Sequence, residues 1–260
     1  MMGERTGMSN DNFSEHEFDY EHNPTWRIFR IMSEFVEGFS FLARIQKSAT
    51  IFGSARLPEE SFYGQLAYKL AYELAVRGYA VVTGGGPGIM ESANHGAFDA
   101  GGNSVGLNIQ LPMEQRINPY VKQSMSFNYF FSRKVMLSFS AEAYIYFPGG
   151  YGTLDELFEL LTLVQTGKHE RTVPIILMGV AYWEPLTQWM RETMLDDLHT
   201  IGDNDLQIMT LTDDIDEALR IIELGVHEQA QKQLATRGRT RRTMADKLKQ
   251  VTKPMTRTEQ

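Results

Sequence analysis

The sequence contains no cysteine, which excludes disulfide bridges and thiolate metal sites. No uncharged apolar run approaches the roughly 18 to 20 residues that a membrane-spanning helix needs, so we expect no membrane partner. The six histidines show no H-x-x-x-H spacing, and we expect no metal. Residues 1–23 lack the apolar core of a signal peptide, so a cytoplasmic location is expected.

Charge is distributed unevenly along the 260 residues. Residues 1–23 carry six acidic residues against one arginine, whereas residues 227–260 carry nine basic residues against three acidic ones. The basic end has no interleaved aromatic residues, so we favour a solvated or partner-binding segment and expect no nucleic-acid partner. The predicted organisation is an acidic mobile N-terminus (1–23), a helical arm (24–47), one domain (48–225) and a basic tail (226–260).

Between the charged ends, short β-rich runs alternate with longer helical patterns, which is typical of a parallel sheet flanked by helices. The predicted strands are 48–53, 79–84, 103–109, 123–127, 143–147, 173–178 and 207–211, with 123–127 and 207–211 the weakest. The predicted helices are 63–77, 88–100, 130–139, 153–165, 182–195 and 215–223. The fold class is therefore α/β with a doubly wound parallel sheet.

An amphipathic segment at residues 25–45 precedes the first predicted strand. Its apolar residues recur at near-helical spacing: Trp26, Phe29, Met32, Phe35, Phe39 and Leu42. We expect this face to pack either on the domain or on a second subunit.

Two predicted strands run into glycine-rich turns that open helices. The first turn is TGGGPG at residues 83–88, and the second is PGGYG at residues 148–152. Glycine lets backbone N–H groups approach a ligand closely, and the start of the following helix attracts anions. Because ligands of open parallel sheets bind at the carboxyl ends of strands, a phosphate is expected at one or both turns. Tight structural turns are the alternative, and neither turn matches a dinucleotide-binding or P-loop motif.

The segment PGGYGTLDE, residues 148–156, resembles the PGGxGTxxE motif of the LONELY GUY (LOG) family of phosphoribohydrolases, once widely labelled lysine decarboxylases. The sequence SRK (132–134) matches the Arg-Lys pair upstream of it, and GSAR (53–56) and GGGPGIMESAN (84–94) fit the same pattern. The resemblance covers roughly residues 48–225. It implies a modified Rossmann fold and at least a dimer, with no redox cofactor or metal. The implied reaction converts nucleoside 5′-monophosphates into free base and ribose 5-phosphate.

One departure concerns the substrate. Short plant-type members usually read G-x-x-G-L-M-G after the second strand, whereas this chain reads GGPGIME at residues 85–91 and has long terminal extensions. It is more similar to the bacterial branch of the family. Ordinary purine or pyrimidine monophosphates and cytokinin riboside monophosphates therefore both stay open as substrates.

The resemblance implies that Arg133 and Glu156 are the catalytic residues. Breaking the C1′–N bond builds positive charge on the ribose and negative charge on the base, so a carboxylate near C1′ is required. Glu156 would stabilise this state and orient or deprotonate water, while Arg133 would bind ribose, phosphate or base. The alternatives are that Thr153 and Glu156 form a capping box and that Arg133 belongs to a solvated basic helix face.

The other candidate substrate-binding residues come from the turns and their flanks: Ser54, Gly85, Gly86, Gly88, Glu91, Lys134, Gly149, Gly150, Gly152 and Thr153. Arg56 and Asn94 are further candidates for the crevice, and Phe127 or Phe131 for contact with the base. Surface, capping and core roles stay open for these flanking residues.

Two other functions compete with the phosphoribohydrolase. A non-catalytic nucleotide or molybdenum-cofactor carrier on the same fold is the first, and the presence of both Arg133 and Glu156 argues against it. Lysine decarboxylase is the second, but it requires pyridoxal phosphate on a lysine, and no motif for that cofactor is apparent. We expect a nucleoside monophosphate as ligand, no cofactor, and a homodimer or dimer of dimers.

Overall fold

Within residues 24–110, 117–169, 173–229 and 231, which the computed structural model describes, seven strands form one parallel sheet. The strands are β1 (Ser48–Phe52), β2 (Ala80–Thr83), β3 (Ser104–Ile109), β4 (Gln123–Phe127), β5 (Ala143–Tyr146), β6 (Ile175–Met178) and β7 (Met209–Thr212). Their order across the sheet is β4-β3-β2-β1-β5-β6-β7. All seven predicted strands are present, and the two weakest predictions form the two edges.

The helices are α1 (Pro24–Leu42), α2 (Phe62–Val76), α3 (Ile89–Asp99), α4 (Phe130–Ser138), α5 (Tyr151–Gln165), α6 (Val180–Trp189) and α7 (215–229). The chain continues from α6 into a π-helical segment, Met190–Asp197, so the helix predicted at 182–195 is irregular in its second half. The predicted acidic N-terminus and nearly all of the basic tail lie outside the described residues. None of the described helices is long and apolar enough to cross a membrane.

Helices cover both faces of the sheet. The helices α2, α3 and α7 pack on one face, against side chains such as Ile51, Val81 and Ile145. The helices α1, α4, α5 and α6 pack on the other face, against side chains such as Val82 and Tyr144. Adjacent strand residues serve different cores because successive side chains of a strand point to opposite faces. The predicted doubly wound α/β fold is confirmed.

The strand order reverses at β1, which pairs with β2 on one side and with β5 on the other. Thr50, in the middle of β1, pairs with Val82 of β2 and with Tyr144 of β5. Loops that leave neighbouring strands toward opposite faces open a crevice at the carboxyl edge of the sheet. Both glycine turns follow strands that end at this edge, so the fold brings them to one crevice.

The arm helix α1 docks on α4 through a face that its apolar pattern did not predict. The buried residues of α1 are Glu34 and Gly38. A Cβ on Gly38 would lie 2.6 Å from the sulfur of Met136 in α4, so glycine is what allows the two helices to approach this closely. A buried carboxylate and a close helix contact therefore hold the arm, in place of an aromatic stripe.

Most of the predicted apolar stripe of α1 faces away from the domain. Phe35 and Leu42 pack partly against the core, as expected. In contrast, exposed fractions are near one half or above for the other four, Trp26 (51%), Phe29 (57%), Met32 (54%) and Phe39 (49%). Val36, which was not among the predicted residues, is exposed beside them (65%). We expected the stripe to pack either on the domain or on a second subunit. The domain covers only the smaller part of it.

Candidate active site

A cleft of about 1080 Å³ lies where the strand order reverses, at the carboxyl ends of β1 and β5. This volume is large enough for a nucleotide. The loops after β1, β2 and β5 and the helices α4 and α5 form its walls. The predicted site residues that line it are Ser54, Arg133, Lys134, Gly149, Gly150, Gly152, Thr153 and Glu156, and Arg56 lines it as well.

The PGGYG turn presents an open backbone to this cleft. Helix α5 begins at Tyr151, and its first bonded amide is Thr153 N–H, which donates to the Gly150 carbonyl at 3.0 Å. The preceding amides belong to the group that helices leave unpaired at their start. A Cβ on Gly150 or Gly152 would meet no heavy atom within 4 Å, so these glycines leave room for a ligand. Free amides at the positive end of a helix suit a phosphate.

The capping-box alternative for Glu156 is wrong. That motif requires Thr153 as the N-cap and Glu156 as the third helical residue. The N-cap of α5 is Gly150, which makes Glu156 the sixth residue of the helix. At that depth the amides are bonded to carbonyls of the preceding turn, so the carboxylate has no free helix-start amide to accept from.

Glu156 lies partly buried on the cleft wall. Burial raises the pKa of its carboxyl to about 7, although the positive charges of Arg133 and Lys134 pull the pKa down. The nearby carboxylates Glu159 and Asp155 add to the increase. A carboxyl group that titrates near neutral pH is suited to proton transfer, and such shifts are common at functional sites.

Arg133 faces the same cleft from α4. Burial lowers the pKa of its guanidinium, and the attraction of Glu156 opposes that change. Its Nε is buried and has no hydrogen-bond partner among the described residues. Gly84, at the end of β2, lies directly beside the guanidinium, since a Cβ there would collide with Arg133 Nη2. The solvated-face alternative is therefore wrong for Arg133, whose cation is available to a ligand.

Lys134 lines the cleft, but its ammonium group has protein partners. Its Nζ lies 2.9 Å from Asp155 Oδ1 and 2.9 Å from Glu159 Oε2, both on α5. These ion pairs join α4, which carries Arg133, to α5, which carries Glu156. Substrate binding by Lys134 stays a prediction, whereas its bonds give it a role in holding the two helices together.

The first glycine turn is bonded from within the protein. Gly85 N–H donates to Thr83 Oγ1 at 2.9 Å. The carbonyls of Gly85 and Gly86 accept from Asn118, through its main-chain N–H at 2.9 Å and its side-chain Nδ2 at 3.0 Å. Asn94, a candidate for the crevice, is fully buried beneath this turn and bonds to Thr83 and Ser104. These bonds hold the turn in place from the protein side.

The loop after β1 packs against the start of α3 and bonds to it. Ile89 N–H donates to the Ser54 carbonyl at 3.0 Å. Gly88 has φ +71°, and a Cβ there would lie 2.7 Å from the carbonyl carbon of Ala55. The residues of the first turn that we expected at the substrate, Gly85, Gly86, Gly88 and Glu91, are not on the described cleft wall, although Gly84 is. Substrate contacts of these four stay predictions, and the geometry favours the second turn for the phosphate.

Several cleft residues gave no signal in the sequence. Tyr182 of α6 donates a hydrogen bond to the Gly149 carbonyl at 2.5 Å and so supports the second turn from a distant part of the chain. Of the two aromatic residues considered for the base, Phe127 is fully buried, which agrees with its core alternative, and Phe130, rather than Phe131, lines the cleft. Adjacent aromatic residues on a short helix cannot be assigned to cleft or surface before the helix position is known. Across the described ranges, no group of three or more His, Asp or Glu side chains is arranged to hold a metal ion.

Comparison with known proteins identifies relatives for the region that contains this cleft. A family model described as "Possible lysine decarboxylase" matches residues 90–222, about half of the chain. The cytokinin riboside 5′-monophosphate phosphoribohydrolase LOG of Oryza sativa subsp. japonica is 32% identical over 152 residues, which cover 57% of this chain and 61% of the rice protein. A probable enzyme of that activity from Arabidopsis thaliana is 32% identical over 146 residues, which cover 54% of this chain and 70% of the relative. The chain thus spans less than two thirds of the rice protein.

Solved structures share the fold. The X-ray structure of TM1055, a structural genomics target, has a TM-score of 0.51 and 25% identity, covering 69% of this chain and 99% of that chain. The molybdenum cofactor carrier protein of Chlamydomonas reinhardtii has a TM-score of 0.53 and 21% identity, covering 70% of this chain and 99% of that one. The second likeness shows the fold alone.

We expect the wild type to lose stability as pH rises because Glu156 ionises, and we expect Glu156→Gln to lack this loss. The pKa of Glu156 rises from 4.5 to about 7 in the folded state, so the folded protein holds that proton more tightly than the unfolded chain. The contribution of Glu156 to the free energy of unfolding therefore falls as pH rises through this window. Relative to the wild type, the neutral variant should gain about 1 to 3 kcal/mol near pH 8 and little near pH 4.5.

Chemical denaturation at both pH values checks this prediction. Glu37→Gln, which removes one acidic side chain from an exposed position of α1, is the control for the loss of a carboxylate elsewhere. Parallel pH profiles for the wild type and Glu156→Gln would contradict the prediction, because they would show an ordinary pKa for Glu156.

Proposed function

We propose that this chain, which belongs to the LONELY GUY (LOG) family, hydrolyses the N-glycosidic bond of nucleoside 5′-monophosphates. The products are the free base and ribose 5-phosphate. The observation that carries this proposal is that Arg133 and a carboxyl group with a raised pKa, Glu156, face one cleft beside the open PGGYG turn. This arrangement supplies a site for the phosphate, a carboxylate for the ribose and a cation for the remaining polar groups.

The phosphate is assigned to the start of α5. Gly150 and Gly152 leave the backbone open, and the 15-residue helix directs its positive end toward the cleft. Glu156 lies one helical turn farther along α5, which is about the distance from a 5′-phosphate to the ribose ring. A ligand anchored at the turn therefore brings its ribose to Glu156.

The chemistry follows from the two ionisable groups. The C1′–N bond breaks with its electron pair going to the base, while the oxygen of a water molecule bonds to C1′. Ionised Glu156 stabilises the positive charge on the ribose and accepts the proton from water. The base takes up one proton from solvent as it leaves, and Glu156 returns to solvent the proton it received, so one water molecule is consumed overall. The guanidinium of Arg133 donates hydrogen bonds to the ribose or to the developing charge on the base.

The base is assigned to the apolar part of the cleft wall. Met90, Ile109 and Phe130 line this part of the cleft, and their side chains suit a planar base. The relatives are named for cytokinin riboside 5′-monophosphates. We accordingly propose AMP or its cytokinin analogues as the substrate class.

A non-catalytic carrier is the competing function. The likeness to the Chlamydomonas carrier protein extends to the fold, at 21% identity. A buried carboxyl group next to the ligand is a disadvantage for a protein that only holds an anion, since its negative charge repels a phosphate. The same charge is useful when the ligand becomes positive at the ribose, which favours hydrolysis.

The exposed stripe of α1 supports assembly into a homodimer or a dimer of dimers. Phe29, Met32, Val36 and Phe39 recur along one side of the helix with exposed fractions of 49 to 65%. Exposed apolar stripes of this kind are typical of subunit contacts. Phe130 is 59% exposed and also lines the cleft, so a subunit boundary at α1 and α4 would lie close to the site.

The phosphate assignment predicts discrimination between nucleotides and nucleosides. AMP should be hydrolysed while adenosine is nearly inert, because binding energy at the phosphate positions the ribose. Gly152→Ala places a methyl group in the open turn and should raise KM for AMP at least about tenfold, with chromatographic detection of adenine as the assay. Gly202→Ala, whose Cβ is similarly unhindered but lies outside the cleft, is the matched control. Equal rates on AMP and adenosine would contradict the assignment.

The catalytic assignment predicts a large loss of turnover without loss of fold. Glu156→Gln removes the negative charge that opposes the ribose cation, so kcat should fall by at least about 10². Arg133→Ala should cause a loss of similar size. Nucleotide binding, measured by calorimetry, should persist in Glu156→Gln. Glu184→Gln, an exposed position on α6, is the control, and near-wild-type turnover by Glu156→Gln would refute the mechanism.

The assembly proposal predicts a concentration-dependent dimer or tetramer. Replacing Met32 and Val36 together by Glu puts two charges into the exposed stripe and should shift the protein to a monomer, measured by light scattering at micromolar concentration. Arg44→Glu, an exposed change beyond the end of α1, is the control. A monomeric wild type, or an assembly that tolerates both glutamates, would contradict this role for α1.

A further inference from the structure

Glu34 is a buried carboxylate on the arm helix, with an exposed fraction of 6%. Its Oε1 accepts from the main-chain N–H of Asn128 at 2.7 Å and from the side-chain Nδ2 of Asn128 at 2.8 Å. Its Oε2 accepts from the hydroxyl of Ser132. Arg30, also on α1, donates to Asn128 Oδ1 at 3.1 Å. These bonds fasten the arm to the beginning of α4.

The carboxylate binds to the start of α4, where the helix has no side-chain cap of its own. The N-cap of α4 is Tyr129, which contributes no side-chain capping bond. This negative charge lies beside the positive end of the helix, and its donors are Asn128, directly before the N-cap, and the side chain of Ser132. Burial by itself would raise the pKa of Glu34, but the bonds from Ser132 and Asn128 outweigh it, so its pKa lies below the usual range. Glu34 therefore stays ionised at neutral pH.

The helix that Glu34 contacts is the one that carries Arg133. Arg133 directly follows Ser132, in the first turn of the nine-residue helix α4. The Nε of Arg133 has no partner in the described part of the chain, and its contact with Gly84 is steric. The position of the guanidinium therefore depends mainly on where the backbone of α4 lies.

We propose that Glu34 is a positioning residue for Arg133. It acts through Ser132 and Asn128, which fix the rotation and depth of α4 and thereby the placement of the guanidinium opposite Glu156. This inference rests on the proposed function. It assigns the arm helix to the active site, although α1 lies outside the region, residues 90–222, that the family model matches.

Kinetics of Glu34 variants test the proposal. Glu34→Ala removes both carboxylate oxygens that accept from Asn128 and Ser132 at the start of α4. It should lower kcat for AMP about tenfold or more, since small displacements of a catalytic group are costly. KM should change less, because the phosphate turn belongs to α5. Glu34→Gln keeps the shape and most of the hydrogen bonds and should recover most of the rate. Glu37→Ala, an exposed change on the same helix, should match the wild type.

A double-mutant cycle separates positioning from simple support of the fold. If Glu34 acts through the guanidinium, Glu34→Ala should change the residual rate of Arg133→Ala less than about twofold. An equal fold-loss in both backgrounds would overturn the proposal, because it would show an effect that does not pass through Arg133. Should Glu34→Ala fail to fold, Ser132→Ala, which removes one bond to Glu34, takes its place in the cycle.

A spectroscopic measurement tests the same proposal without substrate. The buried Nε–H of Arg133 should give a slowly exchanging signal in ¹⁵N–¹H spectra, identified by its absence in Arg133→Ala. Glu34→Ala should shift this signal and speed its exchange, whereas Glu37→Ala should not. An unchanged Arg133 signal in Glu34→Ala overturns the positioning role, whatever rate of hydrolysis that variant shows. A wild type that leaves every nucleoside monophosphate intact would refute the proposed function, and the spectra would still decide the role of Glu34.

Discussion

The cost of keeping the Glu156 carboxylate out of water is the constraint on which the rest of the site depends. Burial makes its ionisation unfavourable, and the nearby cation of Arg133 only partly offsets that cost. Such a balance requires the two groups to be held at a fixed separation. Two contacts provide this. Lys134, in the middle of α4, pairs with Asp155 and Glu159 and joins α4 to α5, and the arm holds the beginning of α4 through Glu34.

The two glycine turns show how similar sequences reach different roles. In the first, glycine allows close contact with the loop after β1, and Asn118 takes the free carbonyls of the turn. In the second, added Cβ atoms on Gly150 or Gly152 would meet open space. Glycine content alone does not separate these cases. What separates them is whether protein atoms fill the space beside the glycines or that space stays open for a ligand.

The sequence was sufficient to predict the strands, the order of helices and the PGGYG motif, because these depend on local patterns. It was insufficient where distant contacts decide the outcome. The start of α5 lies two residues earlier than predicted, which removes Glu156 from any capping role. The docking face of α1 centres on Glu34 and Gly38, and its partners lie about a hundred residues later, where no periodicity could reveal them. Tyr182 reaches the site only because α6 packs beside the turn.

The proposed reaction in this cleft is hydrolysis of a nucleotide at its glycosidic bond. The most direct test incubates the wild-type protein with AMP in a phosphate-free buffer and measures adenine and ribose 5-phosphate over time. Hydrolysis predicts that both products appear together in equal amounts while AMP declines by the same amount. If AMP and its cytokinin analogues bind the protein but are recovered intact, that result would contradict hydrolysis and favour a carrier.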